Sequence, residues 1–132
     1  GITFSDPNIA TIGLRYQEIK DKAIDFVTGE VSFEGQGRSI VKLKETGLLH
    51  IYADKSNGKI LGAELQAPDG EHLAHLIAWA ISLKLSVEEA ISLPFYHPVI
   101  EEGLRTALRD LNSKLHIGPT PVEGCIDCGP EA

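Results

Sequence analysis

The chain has 132 residues, 42% of them apolar and 23% charged, which is enough for one domain with its own core and too few for two. Twelve Lys and Arg against nineteen Asp and Glu give a net charge of −7, which argues against a general nucleic-acid or anionic-membrane binder. The longest apolar stretch, LAHLIAWAISLKL, is interrupted by His75 and Lys84 and falls short of a bilayer span.

Elements follow in chain order. GITFSDPNIATIGL holds two short β-type runs around the turn residues Ser5, Asp6, Pro7 and Asn8. RYQEIKDKA predicts a short helix, with Tyr16, Ile19 and Ala23 at spacings of three and four. IDFVTGEVSF predicts an extended segment broken near Gly29, and EGQGRSIVKLKETG a loop with a brief helical turn. GLLHIYADKSNGKILGAELQAP then carries a hairpin signal, in which Asn57-Gly58 favours a two-residue type I′ turn. Gly62 inside the second run marks a bulge or a close backbone approach.

After Pro68-Asp69-Gly70 the apolar period becomes helical, with Leu73, Leu76, Ile77, Ala80 and Leu83 on one face. Ser86-Val87-Glu88-Glu89 is a capping box that opens a short helix to about Leu93. A last helix is expected from near Pro98, a residue well tolerated at the first helical position, to near Asn112. Strands, a small helix, more antiparallel strands and then helices make the expected fold class α+β, an antiparallel sheet with helices packed on one face. Residues 113–132, rich in Gly and Pro and without periodicity, read as a flexible C-terminal tail.

The last helix carries the chemistry. Ile100, Leu104, Ala107, Leu108 and Leu111 form one stripe that faces the core, and Glu102 lies roughly opposite, beside Arg105 and Arg109. Helical side chains lean toward the N-terminus, so Glu102 leans back to His97, which Pro98 biases out of the helical region. A carboxylate beside an imidazole selects which ring nitrogen holds the proton, and histidine's ordinary pKa of about 6.5 suits proton transfer near neutral pH. By spacing alone such a pair is more often a solvated surface contact than a catalytic one, and it lacks a nucleophile: the only thiols are Cys125 and Cys128.

ITFSDPNIATIGL, GLLHIYADKSNGKILGAELQAP, EHLAHLIAWAISLKLSVEEA and FYHPVIEEGLRTALRDL together resemble the C-terminal dimerisation domain of the pyridine nucleotide–disulfide oxidoreductase family. Within it they look most like the dihydrolipoamide dehydrogenases. The resemblance covers about residues 1–112, and its most specific part is His-Pro-x-x-x-Glu on His97, Pro98 and Glu102. It implies an FAD- and NAD-dependent homodimer in which His97 and Glu102 serve the redox disulfide of the partner subunit. The His97-Pro98 backbone would lie near that subunit's FAD. It implies no cofactor bound to this chain alone, no activity from it alone, and no metal. It names as partners the FAD and NAD domains of a longer chain and, as candidates, components of 2-oxo acid dehydrogenase complexes.

Neither a Gly-x-Gly-x-x-Gly loop nor a Cys-x4-Cys pair occurs in this sequence. Many members have Thr after the Pro and Ser before the final Glu, where this chain has Val99 and Glu101, and Tyr96 replaces a small or polar residue. The pair is left intact and the choice of disulfide substrate stays open, with glutathione reductase and a non-catalytic dimerisation module as alternatives. Mercuric reductases lack the histidine and end in adjacent cysteines, which argues against them. His72, His75 and Trp79 share a helical side, and with Cys125-x2-Cys128 could compose a zinc site on paper, but packing or interface positions are the expectation. The chain contains no Met and starts in a strand-like run, so a fragment or processed chain is expected, with removal of an initiator Met as the alternative. No secretory leader is legible and two tail cysteines make no disulfide framework, so a cytoplasmic setting is expected.

Overall fold

The structure, a computed structural model, describes residues 1–115. Its elements are β1 (Ile2–Thr3), β2 (Asn8–Gly13), α1 (Tyr16–Asp21), β3 (Phe26–Ser32), α2 (Gly37–Val41), β4 (Leu48–Asp54), β5 (Ile60–Ala67), α3 (Gly70–Ser82), α4 (Val87–Ile91) and α5 (Glu102–Leu115). The strands form one antiparallel sheet in the order β1-β2-β5-β4-β3. The α+β class is as expected.

Alternation decides which residues meet the helices, because successive strand side chains point to opposite faces. Ala10, Leu49, Ile51, Ala53, Ala63, Leu65 and Ala67 are buried on one face and join the core made with Leu73 and Ile77 of α3, Val87 and Ala90 of α4, and Leu104, Ala107, Leu108 and Leu111 of α5. Each fully buried Leu or Ile there contributes about 1.5–3 kcal/mol relative to exposure. The small helix α1 stands against the opposite face. There the Tyr16 ring meets Phe26 edge-on at 5.5 Å and Tyr52 at 6.0 Å. Tyr52 Oη donates to Glu64 Oε2 at 2.7 Å, and the same oxygen accepts the Tyr16 amide at 3.0 Å. Burial, reinforced by the hydrogen bond to the Glu64 carboxylate, pushes the Tyr52 phenol above its ordinary range.

Gly29 does not break its strand. β3 runs straight through it, paired with Ile51, and the reason is on the other side of the residue. A Cβ there would press on the Ala107 carbonyl and lie 2.6 Å from Leu111 Cβ, so the glycine lets α5 lie directly on β3. Gly62 satisfies both sequence expectations. The register passes from Tyr52↔Gly62 to Ala53↔Ile60, leaving Leu61 as an extra residue, and a Cβ on Gly62 would be 2.6 Å from the Leu14 amide nitrogen.

The β4–β5 hairpin forms where expected, but not through a type I′ turn, which needs positive φ at both Asn57 and Gly58. Only Gly58 has it, at +68°. Asp54 Oδ1 accepts from the Ser56 amide at 2.8 Å and from its hydroxyl at 2.6 Å, which winds the chain on for one more helical step. Gly58 N–H then closes the turn on the Asp54 carbonyl at 2.8 Å. Gly58→Ala should therefore lower stability by about 1–2 kcal/mol, the cost of an L side chain in this region. Urea denaturation of the 132-residue chain reads it, and an unchanged midpoint would contradict this turn geometry.

The capping box at the start of α4 is present as read. The Ser86 hydroxyl accepts from Glu89 N at 3.2 Å and Glu89 Oε2 accepts from Ser86 N at 2.7 Å. These bonds to Ser86 hold the Glu89 carboxyl below its ordinary range.

Candidate functional site

The segment between α4 and α5 carries His97 and Pro98, joined by a cis peptide bond. Pro98 is not the first residue of the last helix. α5 begins at Glu102 and continues to Leu115, three residues past the expected end. In its first turn Gly103 N donates to the Ile100 carbonyl at 2.9 Å and Leu104 N to that of Glu101 at 3.0 Å, so a tight turn leads into the helix. The stripe is as read: Ile100, Leu104, Ala107, Leu108 and Leu111 are buried. Gly103, Asn112 and Leu115 are buried with them, so α5 sits deeper than one stripe implies.

Glu102 uses both carboxylate oxygens. Oε1 lies 2.8 Å from His97 Nδ1, and Oε2 accepts from the Val99 amide at 3.0 Å. An ionised carboxylate only accepts, so Nδ1 carries the proton in this bond and Nε2 is left as the basic position of the ring. The His97 side chain is 50% accessible and that of Glu102 24%. The two therefore lie together at the surface, with the carboxylate more covered than its position on the helix suggests, because the 97–99 turn folds back over it. From the helix side, the Arg105 guanidinium lies 5.5 Å over the Phe95 ring, which fastens the approach to His97 onto α5.

The neighbouring Glu101 turns to α3, where its Oε1 is 3.5 Å from His72 Nδ1. His72 is thus a pairing partner of carboxylates, Glu71 included at 3.9 Å, and the structure does not gather it with His75 and Trp79 into a site. Trp79 is 64% accessible and is not a core residue. With Leu83, Leu93 and Tyr96 it rims an apolar cleft of about 450 Å³ between α3, α4 and the 93–99 segment. Among the described residues no three His, Cys, Asp or Glu side chains are grouped to hold a metal ion, and Cys125 and Cys128 lie outside those residues. No described helix is long and apolar enough to cross a membrane.

Sequence reasoning missed one neighbour of the pair. Gln36 Nε2 donates to the Val99 carbonyl at 3.0 Å, across 63 residues of chain. No periodicity or motif signals it.

An antiparallel sheet layered with helices is a fold this chain shares with part of a flavoprotein disulfide reductase. The HOCl-induced flavoprotein disulfide reductase RclA of Escherichia coli superposes with a TM-score of 0.74 at 19% identity, over 86% of this chain and 25% of that one. Residues 1–108 match the family described as pyridine nucleotide-disulphide oxidoreductase, dimerisation domain, and the chain belongs to it. Curated relatives include dihydrolipoyl dehydrogenase 3 of Haloarcula marismortui, 31% identical over 84% of this chain and 23% of that protein. The mitochondrial dihydrolipoyl dehydrogenase of Pisum sativum is 26% identical over 89% of this chain and 24% of its own length. The chain thus spans about a quarter of the length of these relatives.

Proposed function

We propose that this chain is the interface domain of an FAD- and NAD-dependent dihydrolipoamide dehydrogenase, in which His97 is the acid–base group and Glu102 orients it. The observation that carries the reading is the 2.8 Å bond from Glu102 Oε1 to His97 Nδ1, which leaves Nε2 as the proton acceptor on a half-exposed ring. The names of the relatives support the substrate class. The interface unit runs past the expected boundary at residue 112 to the end of α5 at Leu115, and the protein works as a homodimer in a cytoplasmic setting, with 2-oxo acid dehydrogenase components as candidate neighbours.

His97 Nε2 takes the proton of a dihydrolipoyl thiol. The sulfur is then a thiolate, the form that attacks a disulfide, here one held by the partner subunit. Glu102 keeps the proton on Nδ1 and stabilises the imidazolium that forms. FAD and NAD do not fit a cradle in this chain, whose described sheet is wholly antiparallel and offers no strand–glycine-loop–helix phosphate turn; in the longer protein the His97-Pro98 backbone would lie beside the partner subunit's FAD. When bound to the rest of a longer chain they supply the electron acceptors.

A longer protein carrying this domain should oxidise dihydrolipoamide with NAD+ at least about tenfold faster, by kcat/KM, than it reduces glutathione disulfide with a nicotinamide donor, a preference of about 1.4 kcal/mol in transition-state binding. Steady-state assays against both substrates and mercuric ion measure this. Faster glutathione disulfide turnover would move the domain to another reductase, and no turnover of any would leave a non-catalytic dimerisation module.

A further inference from the structure

Val99 lies between the two members of the pair, and its backbone is held at both ends. Its amide donates to Glu102 Oε2 at 3.0 Å, and its carbonyl accepts from Gln36 Nε2 at 3.0 Å. Gln36 is itself held. Its Oε1 accepts from the Ser39 amide at 2.7 Å, capping α2, and its own amide donates to the Phe33 carbonyl at 3.2 Å. Phe33 is fully buried, and its ring fills the notch at Gly103, where a Cβ would come within 2.6 Å of Phe33 Cε1. One turn, from Phe33 to Gln36, therefore touches the chain on both sides of Glu102, at Val99 before it and at Gly103 after it.

We infer that Gln36 is a positioning residue for the His97–Glu102 pair. If the Gln36 bond is lost, the Val99–Ile100 peptide that carries the held carbonyl is released; the Val99 φ and ψ angles relax with it, and the Val99 N–H, which belongs to the preceding peptide, shifts off Glu102 Oε2. The carboxylate then has one anchor fewer and turns away from Nδ1, so both ring tautomers become populated. The physical content is a part-buried amide–carbonyl bond, and its loss changes an equilibrium by about five-fold. The kinetic consequence rests on the acid–base reading of His97; the structural consequence does not.

Gln36 also caps α2, and one substitution separates the two jobs. Gln36→Glu keeps an oxygen for the Ser39 amide but loses the donor to Val99 and sets a negative charge against that carbonyl. Nitrogen NMR of histidine-labelled 132-residue chain reads the His97 tautomer, with Glu102→Ala, which leaves the ring no side-chain partner at that position, as the reference for a released ring. We expect Gln36→Glu to move the His97 signals toward those of Glu102→Ala, raising the Nε2-protonated fraction several-fold. Gln36→Met, which has neither donor nor acceptor, should do the same and serves if the first variant does not fold. Unchanged His97 signals in either folded variant overturn the inference. So does a wild-type chain whose Gln36 side-chain amide protons show no proximity to the Ile100 Hα, a measurement that needs no variant. In the longer enzyme Gln36→Glu should lower kcat about five-fold with KM unchanged. If His97→Ala leaves turnover normal, the acid–base reading fails while the nitrogen signals still decide the positioning role.

Discussion

His97→Ala in the longer enzyme is expected to lower dihydrolipoamide turnover by at least about 10²-fold, the low end for a lost acid–base group and equivalent to about 2.7 kcal/mol of barrier. Glu102 Oε1 at 2.8 Å holds a proton on Nδ1, so the ring presents Nε2 as a base toward solvent or a bound thiol. Neither alanine nor Glu102 can replace it, because the carboxylate is tied to the Val99 amide by its second oxygen. The same substitution should leave the fold alone. His97 is half exposed and its contact with Glu102 lies at the surface, where such pairs are worth about 0–1 kcal/mol, so the denaturation midpoint of the 132-residue chain should barely move. A large activity loss with an unmoved midpoint supports the proposed role. Normal turnover would reduce the pair to a surface contact.

Gly29→Ala is expected to have the largest effect on stability, a loss of about 2–3 kcal/mol or more. Its new Cβ would press on the Ala107 carbonyl and lie 2.6 Å from Leu111 Cβ and 2.9 Å from Leu111 N. Those are backbone and first side-chain atoms of α5, which cannot rotate away, so the helix must lift from β3. Lifting it loosens Leu104, Leu108 and Leu111, all buried. For a domain of this size the loss corresponds to a fall in Tm of roughly 7–11 °C. Gly37→Ala is the matched control: nothing lies within 4 Å of a Cβ there, and α2 gains a better helix former at Gly37. Calorimetry on both variants decides it. Equal midpoints would mean that α5 does not rest on β3 as described.

Element type was legible wherever the cause is contiguous in the chain. The capping box at Ser86 and Glu89, the apolar period from Leu73 to Leu83, and the paired β runs around Lys55–Lys59 each express a signal within a few residues. Where the outcome depended on a distant partner, local reading erred. Gly29 resembles a strand breaker until α5 is seen against it, and Pro98 resembles a helix start until the Glu102 carboxylate is seen closing the Val99 turn. The Asn57-Gly58 signal gave the hairpin but not its turn, because the Asp54 side chain competes for the same backbone amides.

The His97–Glu102 pair lay between these cases. Its members are five residues apart, close enough for helix geometry and a proline constraint to bring them together on paper. The α+β class, the core stripe of α5 and the pairing of His97 with Glu102 were all readable from contiguous chain, since side-chain periodicity and short-range leaning are local properties. Tertiary structure alone decided how far the carboxylate is covered, that α1 closes the aromatic face at Tyr16, Phe26 and Tyr52, and that Gln36 steadies the turn. Those contacts join segments up to 63 residues apart, and nothing in a linear pattern states which distant strand or loop packing will bring within hydrogen-bond reach.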